Sequence, residues 1–99
     1  MLFRSIFTGS SLQINSDIQL PRNATAGYRG TITVNNGGTI IFPGTAQIKA
    51  QGTGTSAIFN LNAGANFQTA NANGVVGTSG SISSSNIVST FDQIGRAHV

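Results

Sequence analysis

Short runs of alternating apolar and polar residues recur along this chain: Leu12-Gln13-Ile14, Ile18-Gln19-Leu20, Thr31-Ile32-Thr33-Val34, Thr39-Ile40-Ile41-Phe42, Ala46-Gln47-Ile48-Lys49-Ala50, Ile58-Phe59-Asn60-Leu61 and Asn66-Phe67-Gln68-Thr69. A period of two predicts strands with one apolar face. Ile32 and Val34 share one face, with Thr31 and Thr33 on the other, and Phe59 and Leu61 point inward with Asn60 outward. Helix formers are scarce and Glu is absent, while Gly and β-branched residues, which disfavour helix, are abundant.

One pattern repeats. Ile32 to Ile40, with its bend Asn35-Asn36-Gly37-Gly38, returns as Phe59 to Phe67 around Asn62-Ala63-Gly64-Ala65. Asn35-Asn36-Gly37-Gly38 alone is a hairpin signal, and a small β-sandwich with antiparallel pairing across it is one outcome. Recurrence of matching inward residues favours a coil, in which every rung presents its apolar face at the same angle. The expected fold is therefore all-β: a right-handed parallel β-solenoid of three to four rungs, each of roughly 20 to 27 residues. Ile14-Asn15-Ser16-Asp17-Ile18 reads as a shorter, earlier copy of the bend. Asn15, Asn35 and Asn62 either stack their amides along the axis or simply tolerate turn conformations. Gly74 to Ser89 is rich in Gly, Ser and Thr, and is either a rung of small side chains or a surface loop. Thr90-Phe91 restarts a strand pattern.

The termini change the domain picture. Met1-Leu2-Phe3-Arg4-Ser5 back-translates to gtg ctc ttc cga tct. The reverse complement of that string reads through Ile94-Gly95-Arg96-Ala97, and His98 and Val99 extend the same line. Both ends resemble a translated short-read sequencing adapter. Residues 1–5 and 94–99 are therefore expected to be adapter-derived scars around a solenoid repeat fragment, 6–93. Without Arg4 and Arg96 the formal charge falls from +3 to +1, leaving Arg22, Arg29 and Lys49 against Asp17 and Asp92. The basic pI then gives no argument for nucleic acid. Charged residues are 7% of the chain, against about 25% in ordinary soluble domains. No apolar run is long enough for a membrane-spanning helix. Cys is absent, which excludes disulfide scaffolds.

Leu61-Asn62-Ala63-Gly64-Ala65-Asn66-Phe67-Gln68-Thr69-Ala70-Asn71-Ala72-Asn73-Gly74-Val75 resembles repeats of large secreted surface proteins of Bacteroidetes-type bacteria, β-solenoid or autotransporter-like adhesin repeats often exported by type IX secretion. Those repeats run from an apolar residue through a Gly-Ala bend to Thr-Ala-Asn-x-Asn-Gly-Ile, and a Thr-Phe strand follows. Phe67 stands where Leu is usual and Val75 where Ile is usual. Ser89-Thr90-Phe91 looks like the opening of the later strand, and Thr31 to Gly44 like the preceding rung. The resemblance implies an extracellular or outer-surface bacterial location. It implies a structural stalk or adhesive passenger segment, whose partners are host or environmental glycans, other surface proteins and neighbouring rungs of a parent chain.

Little catalytic chemistry is in view. Paired carboxylates serve glycoside hydrolysis, but Asp17 and Asp92 stand near opposite ends. The alternative reading is the non-catalytic edge of a carbohydrate-active right-handed β-helix enzyme. Calcium-binding rolls place Asp in their Gly-rich turns, which Asn35 to Gly38 and Asn62 to Gly64 lack. A zinc site has neither Cys nor a native His. No enzymatic activity, cofactor or metal is expected. Tyr28 and Arg29, an aromatic beside a cation, form the candidate glycan contact, and Asn35, Gly37, Asn62 and Gly64 the structural turn and ladder. Thr31 and Thr33, with Thr53 and Thr55, suggest an ice-binding array, but Asn60 replaces Thr33 one repeat later and breaks it. Such a chain in isolation exposes unpaired strand edges and is expected to behave poorly.

Overall fold

A computed structural model describes residues 3–6, 9–22, 30–92 and 96–98, with side-chain packing for 9–22 and 30–92. Among them there is no helix, and the chain is all-β. The strands are β1 (Phe3–Ile6), β2 (Ser11–Gln13), β3 (Ile18–Pro21), β4 (Thr31–Val34), β5 (Thr39–Phe42), β6 (Ile48–Gln51), β7 (Ala57–Leu61), β8 (Asn66–Thr69), β9 (Val76–Gly77), β10 (Ile82–Ser83), β11 (Ile87–Phe91) and β12 (Arg96–His98). They form three four-stranded sheets, ordered β1-β4-β7-β11, β2-β5-β8-β12 and β3-β6-β10-β9. Every pairing is parallel. Successive strands visit the first, second and third sheets in rotation, except that β9 and β10 share the third, so β4 and β5 lie in different sheets. The turn Asn35 to Gly38 is thus a corner between sheets, and the antiparallel hairpin of a sandwich does not form.

Register fixes what faces inward. Ile32 lies beside Phe59 and Val34 beside Leu61, and Ile40 beside Phe67. These six are essentially solvent-free, as are Phe42, Leu20, Ile48 and Ile82. The inner residues come from the alternate positions that the sequence pattern marked, because in a strand one side-chain set must share a face. Aromatic rings from adjacent levels gather in the core. Phe42 and Phe67 stack at 5.0 Å, and Phe59 meets Phe67 edge-on at 5.9 Å. Offset-stacked and edge-to-face pairs each add about 0.5–1.5 kcal/mol beyond burial.

The step between levels is not constant. Asn35 and Asn62 stand 27 residues apart, as the repeat requires, but the third sheet takes longer steps. Ile18 pairs with Ile48, and Ile48 with Ile82. The expected rung of roughly 20 to 27 residues therefore falls short there, and the Ile14 to Ile18 copy belongs elsewhere. Ile14 donates its N–H to Ile41 O, which sets Ile14 level with Phe42. Asn15 to Asp17 therefore form the corner between the second and third sheets. Both kinds of corner read as apolar residue, polar turn, apolar residue, and only register separates them. The earlier copy of the bend is at Gly9: its N–H donates to Gly37 O, and Gly37 N–H to Gly64 O. All three glycines have φ near +80°, at 78°, 82° and 81°, where a Cβ is unfavourable. A Cβ on Gly64 would also fall onto the Asn36 side chain. Gly64→Ala is expected to cost about 1–3 kcal/mol, read as a lower urea midpoint, with Ala63→Ser, at an exposed neighbouring site, close to neutral.

The Gly74 to Ser89 stretch is both things the sequence allowed. Val76–Gly77 and Ile82–Ser83 are strands of the third sheet, with Ser81, Ile82 and Ser83 buried, while Thr78 and Ser79 between them are exposed. The strand expected to open at Thr90 begins at Ile87.

Candidate functional site

Two polar constellations stand out, one on a corner and one inside. At the corner between the second and third sheets, Ile14 to Asp17 and Pro43 to Ala46 line a groove of about 410 Å³. Asp17 Oδ1 accepts the N–H of Gln47 at 2.8 Å, and Asp17 Oδ2 lies 3.3 Å from Lys49 Nζ. The Gln47 side chain donates to Thr78 O at 3.1 Å and to Gly80 O at 2.7 Å. Asp17, Gln47 and the Thr78 to Gly80 loop lie on successive levels of the stack, so this network ties three levels together. At the other end of β3, Arg22 caps the loop of the next level, donating to Gly52 O at 3.0 Å and Gly54 O at 2.8 Å.

The Gln47 N–H holds the Asp17 carboxyl below the ordinary carboxylate range, with Lys49 adding to it. A carboxylate so held stays ionised and makes a poor general acid. Because its folded-state pKa lies below the unfolded value, its contribution is present above the unfolded pKa and is lost as pH falls through the folded one. With Asp17 and Lys49 each nearly half exposed, solvent screens the pair and the contribution is under about 1 kcal/mol. Asp17→Asn is expected to flatten the acid limb of the stability–pH curve below the usual carboxylate range and leave neutral-pH stability within that margin. An unchanged acid limb would show that Asp17 carries none of it.

The interior constellation is the Thr-Ala-Asn-x-Asn-Gly motif. Thr69 and Ser81 hydroxyls meet at 2.7 Å, and Thr69 Oγ1 accepts the Asn71 N–H at 3.0 Å. Asn71 Nδ2 donates to Ser79 O at 2.8 Å, and Asn71 Oδ1 accepts the Asn73 N–H at 2.9 Å. Asn71 is 1% exposed. A buried amide is stable only when its donors and acceptors are met, and here both ends of the side chain are. The motif thus pins the loop that leaves β8 and returns to β10.

Of the sequence-predicted residues, Asn35 and Asn62 are brought together: Asn62 Nδ2 donates to Asn35 Oδ1 at 3.0 Å. Asn15 is not in that column. Gly37 and Gly64 stack at the bend. Thr33 lies beside Asn60, whose amide donates to it at 3.4 Å, so hydroxyl rows are interrupted there. Tyr28 and Arg29 lie outside the described residues. Asp17 and Asp92 occupy different corners, Asp92 following β11 and donating its N–H to Leu61 O. Among the described residues no group of three or more His, Cys, Asp or Glu could hold a metal, and no helix is long and apolar enough to cross a membrane. Gln47 and Arg22 carried no sequence signal, since their partners are backbone carbonyls of the next level, far away along the chain. Asn71 carried one, the Asn-x-Asn-Gly spacing of an Asx turn followed by a Gly. Comparison with protein-family models, curated proteins and solved structures yields no match.

Proposed function

We propose that this chain is a segment of a right-handed β-solenoid that serves as a structural stalk or adhesive passenger region of a large secreted or cell-surface bacterial repeat protein. The observation that carries the reading is the in-register parallel stacking of three sheets visited in rotation. Parallel strands joined by crossovers are right-handed in nearly all known cases. Each level then contacts only the levels above and below, so stability is local and length is free to vary, which suits a spacer. The polar networks support the same reading. Asp17, Gln47, Arg22 and the Asn35–Asn62 pair direct their hydrogen bonds along the stack to the next level, which is what a scaffold needs.

Antibodies raised against the purified chain test the location. Intact cells of the source organism are expected to be labelled, with the signal removed by external protease. Labelling that requires lysis would overturn the surface assignment.

A further inference from the structure

The corner between the second and third sheets lengthens from level to level. Between Ile14 and Ile18 it has three residues (15–17), between Phe42 and Ile48 five (43–47), and between Thr69 and Ile82 twelve (70–81). The Pro43 to Gln47 corner therefore overhangs the Asn15 to Asp17 corner below it. The step between them is the groove of about 410 Å³ lined by Ile14 to Asp17 and Pro43 to Ala46. Its walls are the loops of two successive levels, with no strand residue among them, so it belongs to the flank of the stack rather than to an end. The volume is within the range of about 300–1,000 Å³ for sites that hold small molecules.

The walls are held in place. Asp17 Oδ1 accepts the Gln47 N–H at 2.8 Å, and Oδ2 lies 3.3 Å from Lys49 Nζ, which together orient the carboxylate. Asn15 Oδ1 accepts from Gln13 Nε2 at 2.9 Å, and Pro43 restricts its own φ. An ionised carboxylate has about four lone-pair positions. Here one on each oxygen is taken, and one on each remains for a ligand. Asn15 Nδ2 adds N–H donors, and the exposed Ser16 and Thr45 add hydroxyls. Ile14, Pro43 and Ala46 supply an apolar strip.

This inventory selects the ligand chemistry. Lys49 already neutralises Asp17, and no second carboxylate lines the groove, so a bare cation gains little there. No cationic side chain lines it for an anion. Acceptors, donors and an apolar strip without net charge complement a neutral polyhydroxy compound. We infer that the groove is a binding subsite for one unit of a neutral saccharide, with Asp17 accepting two adjacent sugar hydroxyls. Asn15, Ser16 and Thr45 serve the remaining sugar oxygens, and a C–H face of the ring lies along Pro43 and Ala46. Hydroxyl-to-carboxylate bonds are about twice as strong as neutral ones, so Asp17 carries most of the affinity. The inference rests on the adhesive reading for its setting and names the site and ligand of that adhesion. Binding is measured on the purified chain without cells, so a failed titration and a failed labelling experiment are told apart.

The test is amide NMR of the isotope-labelled 99-residue chain titrated with neutral tetrasaccharides of glucose, galactose or mannose. At least one is expected to give saturable millimolar binding that shifts Asn15 to Asp17 and Thr45 to Gln47 and leaves Ile32 to Val34 unmoved. Asp17→Asn keeps an acceptor for the Gln47 N–H and is expected to weaken binding about tenfold. Asn15→Ala, at an exposed position, is expected to weaken it by a smaller factor, and decides the matter should Asp17→Asn disturb the corner. No saturable shift with any of the three sugars, shifts confined to another face, wild-type affinity in both variants, or the same corner shifts with calcium chloride alone would each overturn the inference.

Discussion

Phe67→Ala is expected to unfold the chain or bring it close to unfolding, at a cost of about 3–5 kcal/mol. Phe67 is fully buried and is the hub of the aromatic group, touching Phe42, Phe59 and Phe91. Its removal leaves a cavity walled by two backbone ladders, β5 on one side and β12 on the other, which cannot collapse without breaking hydrogen bonds. The total stability of a small domain is about 5–15 kcal/mol, so the loss consumes a large share. A urea titration followed by circular dichroism reads the effect. Phe67→Leu should recover much of it, because the cavity is largely refilled. Phe91→Ala should cost less than Phe67→Ala, because Phe91 is already partly in solvent. Equal losses at Phe67 and Phe91 would show that the aromatic group is not organised around Phe67.

Asn71→Leu is the second large effect, expected at about 1–3 kcal/mol. Leucine matches the volume roughly but satisfies none of the partners. Ser79 O and the Asn73 N–H each lose their part-buried bond to the Asn71 side chain, and each such bond contributes about 0.5–1.5 kcal/mol. The damage should be local. Hydrogen exchange is expected to speed up at Asn73 and across Ser81 to Ser83, while Ile32 to Val34 keep their protection until global unfolding. Faster exchange spread evenly over the chain would contradict the assignment of Asn71 to the loop alone. Ala70→Ser, at an exposed neighbouring position, is the matched control and should change little.

Alternation, and the echo of Ile32 to Ile40 in Phe59 to Phe67, were enough to locate β4, β5, β7 and β8 and their inward faces, because a period of two admits one division of side chains between two faces. They were not enough to place the first level. Ile14-Asn15-Ser16-Asp17-Ile18 matches the Val34 bend in composition but belongs to another corner, since corner length is set by the neighbouring level and leaves no mark in local residues. Gly9, the true counterpart of Gly37, has Ile6 and Leu12 where the later copy has Val34 and Ile40, but Phe7-Thr8 stands in the sequence in place of the Asn35-Asn36 that marks the bend. The same limit applies to the polar networks. Asn35 and Asn62 could be paired from the repeat, whereas Gln47 and Arg22 bind carbonyls of levels that are offset differently along the chain. The return of β10 beneath β9 had no sequence signature beyond Gly and Ser, which permit a tight turn without specifying one.

Parallel stacking is the central claim, and a cysteine pair tests it most directly, since the chain has no cysteine of its own. Thr33 and Asn60 are lateral neighbours on the outer face of the first sheet; adjacent strands lie about 4.8 Å apart, inside the Cα range of about 4.4–6.8 Å that a disulfide requires. The double variant Thr33→Cys, Asn60→Cys is expected to form an intramolecular disulfide under mild oxidation. Val34→Cys, Thr39→Cys, the pair that a hairpin across Asn35 to Gly38 would juxtapose, is expected to stay reduced. The opposite outcome, oxidation of the hairpin pair with the Thr33 and Asn60 positions left free, would contradict the parallel stack.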